Sequence, residues 1–90
     1  MARFKVENII YLDSVKSIFI IGRIIEGYIT LGMIIKSMGM SVKIKGIESA
    51  DGELNYKPVS KIALKLSEDR EVFEKLQKEI ILGSEIIIGE

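Results

Sequence analysis

The side chains that could do chemistry in this chain are of few kinds. It contains no histidine and no cysteine. That removes the usual general base, Ser-His-Asp arrangements, thiolate zinc sites, cysteine nucleophiles and disulfides. Carboxylates, lysines, hydroxyls and tyrosines remain. Glu48 and Asp51 lie at the end of a strand-like run without a recognisable partner, so no catalytic residue, metal site or cofactor is expected. The lysines are more ordered. Lys43 and Lys45 alternate along one run, and Lys61 and Lys65 along another; on a strand, residues two apart share a face. With Lys36 and Lys57 close by, they would form a basic stripe on the outside of a sheet, suited to tracking the phosphates of RNA or a ribonucleoprotein. Outward lysines also serve to keep β surfaces soluble, and no aromatic residue is interleaved with these for base stacking.

Strands must position those lysines. Isoleucine supplies 18 of the 90 residues, and β-branched side chains suit a pleated surface better than a helix. The first strand is expected over Phe4–Leu12, with Phe4, Val6, Asn8, Ile10 and Leu12 on one face and Lys5, Glu7, Ile9 and Tyr11 on the other. A turn begins at Asp13-Ser14. The second strand is expected over Ile18–Glu26, the third over Met33–Ser37 and the fourth over Ser41–Glu48. Asp51-Gly52 reads as a tight turn, and Pro58 as a break or edge position. Lys61–Ser67 and Ile86–Ile88 complete six strands. Between the last two, Val72, Phe73, Leu76 and Ile80 recur at helical spacing. Ser67 is the expected N-cap, with Glu68 and Asp69 in the first turn, and Gly83 the expected C-cap of a helix over Glu68–Glu79. Six short strands, glycine-rich turns and one late helix point to a small β-barrel formed by a single domain over residues 1–90. Its core should contain Ile24, Ile29, Ile44, Leu64 and Ile86.

Composition agrees with a folded cytoplasmic domain. The chain is 48% hydrophobic and 29% charged, with 13 basic and 13 acidic residues. It is too apolar for disorder, and a balanced charge argues against coating nucleic acid by bulk electrostatics. The apolar run Ile18–Ile35 contains Arg23, Glu26, Gly22, Gly27 and Gly32, a poor composition for a membrane span. The first two strands look apolar on both faces. Ile9, Tyr11, Phe19, Ile21 and Ile25 are the outer set, to be covered by the helix or by another protein, including a second copy.

Three segments resemble the second, β-barrel domain of translational GTPases such as elongation factor Tu. The stretch Gly22-Arg23-Ile24-Ile25-Glu26-Gly27-Tyr28-Ile29-Thr30-Leu31-Gly32-Met33-Ile34-Ile35 is similar to that domain's signature, in which apolar residues interlock with glycines at fixed spacing. Val42-Lys43-Ile44-Lys45-Gly46-Ile47-Glu48 is similar to its fourth strand, and Ile80-Ile81-Leu82-Gly83-Ser84-Glu85-Ile86 to its closing segment. The resemblance implies a closed six-stranded Greek-key barrel and contact with ribosomal RNA through the barrel's outside. It also places Glu48 near the pocket that receives the aminoacyl end of tRNA. In that signature Gly27 and Gly32 would make turns, Ile29 would drop into the core between them, and Gly22 would admit close backbone approach. The chain departs from the family at Asn55-Tyr56-Lys57-Pro58-Val59-Ser60, where an Ala-Gly-Asp/Glu loop is usual, and after Ser67. It has no phosphate-binding Gly-x-x-x-x-Gly-Lys-Ser/Thr loop, so GTP hydrolysis is not implied.

Overall fold

A computed structural model describes residues 1–36, 41–49 and 61–90. The expected turn at Asp51-Gly52, the break at Pro58, the divergent loop and Lys57 lie outside these residues. Among the described residues the strands are β1 (Ala2–Leu12), β2 (Ser17–Glu26), β3 (Ile34–Ile35), β4 (Val42–Lys43), β5 (Gly46–Ser49), β6 (Lys61–Leu66) and β7 (Glu85–Gly89), with one helix, α1 (Arg70–Glu79), between β6 and β7. They form one antiparallel sheet in the order β4-β3-β7-β1-β2-β6-β5. The sheet curls into a half-barrel around a single apolar cluster. The expected core residues Ile24, Ile29, Ile44, Leu64 and Ile86 are all buried there.

The strand expected over Ser41–Glu48 is two strands, β4 and β5, which makes seven rather than six. Val42, Ile44 and Ile47 face the core while Lys43 and Lys45 are exposed, so the inward phase slips by one residue between Ile44 and Ile47. The slip is visible in the pairing. The Lys45 N–H donates to the Lys65 carbonyl (2.8 Å), and Gly46 is the register partner of Lys65. Two residues thus oppose one, which is a β-bulge and bends the chain.

A second bulge changes which side chains point inward on β1. Val6 pairs with Gly22 and Asn8 with Ile21, leaving Glu7 as the extra residue. Inward positions therefore run Ala2, Phe4 and Val6, then Ile9 and Tyr11. Ile9 and Tyr11 were expected on the outer face with Phe19, Ile21 and Ile25; they instead turn towards the core. Gly22 sits at this bulge, where an added Cβ would run into the Lys5 carbonyl oxygen and crowd Phe4. The close backbone approach expected there is present.

The helix corrects two expectations about its ends and one about its place. Asp69, rather than Ser67, is the N-cap; its carboxylate accepts from the Val72 N–H at 3.1 Å. The helix stops at Ile80, a buried residue whose backbone is extended (φ −91°, ψ 122°). Gly83 is not the C-cap. It turns three residues later with φ +91° and donates to the Val6 carbonyl. Leu76 and Ile80 belong to the core cluster, and Val72, Phe73 and Tyr11 pack against it. The helix thus joins the interior beside Ile9 and Tyr11 instead of covering Phe19, Ile21 and Ile25 from outside.

Candidate nucleic-acid interface

The sheet's pleat decides which lysines meet. On β4, burial of Val42 turns Lys43 outward opposite Ile34, and between β4 and β5 Ile44 is buried while Lys45 is exposed beside the bulge. On β6, burial of Ile62, Leu64 and Leu66 leaves Lys61, Ala63 and Lys65 on the outer face. Gly46, the register partner of Lys65, has no side chain. A Cβ there would lie 3.2 Å from the Lys65 Cβ, so the glycine lets the Lys65 stem lie across the strand. Lys36 follows β3, and its Cε would lie 3.5 Å from a Cβ on Gly89, which places its stem over the end of β7.

Lys36, Lys43, Lys45 and Lys65 thus occupy outward positions after β3, on β4, at the bend and on β6, and none of them forms an ion pair with the described residues. Lys61 stands apart from this group. Its ammonium lies 3.2 Å from Glu7, whose other oxygen is 3.0 Å from the Arg23 Nε. The Lys61 ammonium and, to a smaller extent, Arg23 hold the Glu7 carboxyl below its ordinary range, while desolvation opposes them. The alternation of the sequence marked Lys61 as a phosphate contact but gave no sign of the carboxylate that joins it to Arg23. Nothing in the local pattern marks Glu7, because its position depends on the bulge.

Glu48 is exposed on the outer face opposite Ala63. An open hollow of about 540 Å³ is lined by Ile29, Thr30, Leu31, Gly46 and Ile47. Glu48 is not part of that lining, because the pleat turns Ile47 inward and Glu48 away from it. Gly27 and Gly32 have φ of +81° and +91°, and Ile29 between them is buried. The outer apolar residues are uneven: Phe19 is buried, Ile21 half-buried and Ile25 exposed.

Among the described residues, no group of three or more acidic side chains is placed to hold a metal ion, and no helix is long and apolar enough to cross a membrane. Comparison of the chain with protein-family models, curated proteins and solved structures found no match.

Proposed function

We propose that this chain is a non-catalytic binding module that holds RNA, free or within a ribonucleoprotein, through the phosphate backbone. The observation that carries the reading is the set Lys36, Lys43, Lys45 and Lys65, four outward ammonium groups without ion-pair partners among the described residues. Unpaired cations on one surface are the footprint that phosphate binding requires. Such contacts carry little base information, so recognition would be weakly sequence-specific.

The fold proposed with this function is a closed six-stranded Greek-key barrel of the kind found as the second domain of translational GTPases. Closure would make β4 and β5 one kinked strand joining the two ends of the sheet. Hydrogen bonds on both sides of the kink support it. Ile44 accepts from Gly32 (2.9 Å) and donates to Met33 (2.8 Å), while Lys45 donates to Lys65. The two positive-φ glycines flanking buried Ile29 support the family link on the same footing.

The test is RNA binding by the pure protein across a salt series. Binding should weaken steeply with salt, and Lys43→Gln with Lys45→Gln should flatten the log–log slope by about 1–2 units while the fold is retained, at about 0.7–0.9 per phosphate contact. A protein that binds no RNA at low salt and instead dimerises with rising concentration would displace this reading in favour of protein association, and a monomer that binds nothing would overturn both.

A further inference from the structure

The outer faces of β2 and β6 carry a second pair of cations that the lysine group does not include. Arg23 and Lys61 are direct cross-strand partners on β2 and β6. Like charges facing each other across a sheet repel, and the arrangement is destabilising unless a counter-charge is supplied. The counter-charge comes from β1. The extra residue of its bulge is Glu7, whose two oxygens reach Arg23 at 3.0 Å and Lys61 at 3.2 Å. One carboxylate therefore engages two cations.

Lys61 and Lys65 lie on the same face of β6, four residues apart, about 13 Å at the rise of a strand. Without Glu7, Arg23 and Lys61 would extend the cationic positions of β6 beyond Lys65, past the outward carboxylate of Glu48 opposite Ala63. With Glu7 in place, an approaching phosphate meets a half-exposed carboxylate already holding both donors.

We infer that Glu7 is a built-in mask that ends the phosphate-contacting surface at Lys65, so that removing its charge lengthens the surface by Arg23 and Lys61. This rests on the RNA reading above. Glu48, outward opposite Ala63 between Lys61 and Lys65, is common to the native protein and its Glu7 and Lys61 variants, so its charge cancels in the differences between them.

The experiment measures binding of an oligouridylate by the native protein and by Glu7→Gln over a salt series, with thermal melts to establish that each is folded. The mask predicts tighter binding at low salt and a slope steeper by about 1.4 units, two contacts at roughly 0.7 each on a single strand. Adding Lys61→Gln to Glu7→Gln should return about half of that increment. In the native background, Lys61→Gln alone should leave the slope unchanged, a measurement that keeps the inference falsifiable if Glu7→Gln does not fold. An unchanged slope in folded Glu7→Gln, with native binding still sensitive to Lys43 and Lys45, overturns the mask and leaves the RNA reading standing. Loss of slope from Lys61→Gln alone also overturns the mask, because Lys61 would already be touching phosphate. If neither the native protein nor Glu7→Gln binds, both inferences fall together.

Discussion

Glu7 shows how much a single inserted residue can change. Its carboxyl is held below its ordinary value of 4.5, chiefly by Lys61. A folded-state value below the unfolded one means that the ionised form is the stabilising form. The contribution is complete above about pH 4.5 and disappears as pH falls through the lower folded value. Glu7→Gln should therefore lower stability at neutral pH, and the gap from the native protein should close progressively in acid. Urea midpoints taken from neutral to acidic pH would check this, and a gap that does not vary with pH would count against it. Gly22 and Gly32 make a contrasting pair at the same scale. An alanine at Gly22 would clash with the Lys5 carbonyl, whereas at Gly32 the space is open and only φ of +91° opposes it. Gly32→Ala should cost about 1–2 kcal/mol from backbone strain alone. Gly22→Ala should cost about 1–3 kcal/mol through overpacking, and it should also shift the amide resonances of both strands at the bulge. Chemical denaturation with two-dimensional NMR would separate the two causes.

The helix is held by unequal attachments along its length. Leu76 is fully buried and Ile80 nearly so, whereas Lys75 and Lys78 face solvent. At the other end, Arg70 makes a two-pronged contact with Asp13 in the β1–β2 turn (2.8 Å to each oxygen) and lies 5.0 Å from the centre of the Tyr11 ring. Tyr11 in turn meets Phe73 at a ring separation of 5.7 Å. These residues are exposed or half-buried, so salt screens the charged contact and limits its worth. Leu76→Ala should cost about 2–5 kcal/mol, the usual range for emptying a core site. Asp69→Ala should cost about 0.5–2 kcal/mol through the lost N-cap, and Lys75→Ser should stay within about 0.5 kcal/mol. Thermal or urea unfolding of the three variants would check the ranking. Equal small effects would mean that the helix contributes little to the folded state.

At the scale of the whole molecule, Ile44 is the informative position. It is fully buried, and its backbone is bonded to Gly32 and Met33 while its neighbour Lys45 is bonded to Lys65. If the sheet closes through this segment, the Ile44 and Lys45 amides should exchange with solvent as slowly as those at the centre of β1 and β2. An open sheet would leave them among the fast-exchanging edge amides. Hydrogen exchange read by NMR distinguishes the two. Ile44→Ala should cost about 2–5 kcal/mol in either case, since the core site is emptied regardless of closure.

Much of this architecture was legible along the chain because burial and pleat are local. Isoleucine density and alternation located the strands to within a few residues, and the helix was visible in the spacing of Val72, Phe73, Leu76 and Ile80. The turns at Gly27 and Gly32, with Ile29 buried between them, were expected from the resemblance of that stretch to a glycine-spaced signature. What the chain could not display were the places where alternation slips, above all at Glu7 and at Lys45-Gly46. A bulge is decided by the partner strand, and one inserted residue reverses every side chain beyond it. For that reason Ile9 and Tyr11 turned inward, the helix joined the core beside them, and Glu7 reached Arg23 and Lys61. The same cause removed Lys61 from the free lysines. Residue types thus settled that the chain would pack as strands around an isoleucine-rich core, while strand pairing alone decided which charges remain available to a ligand.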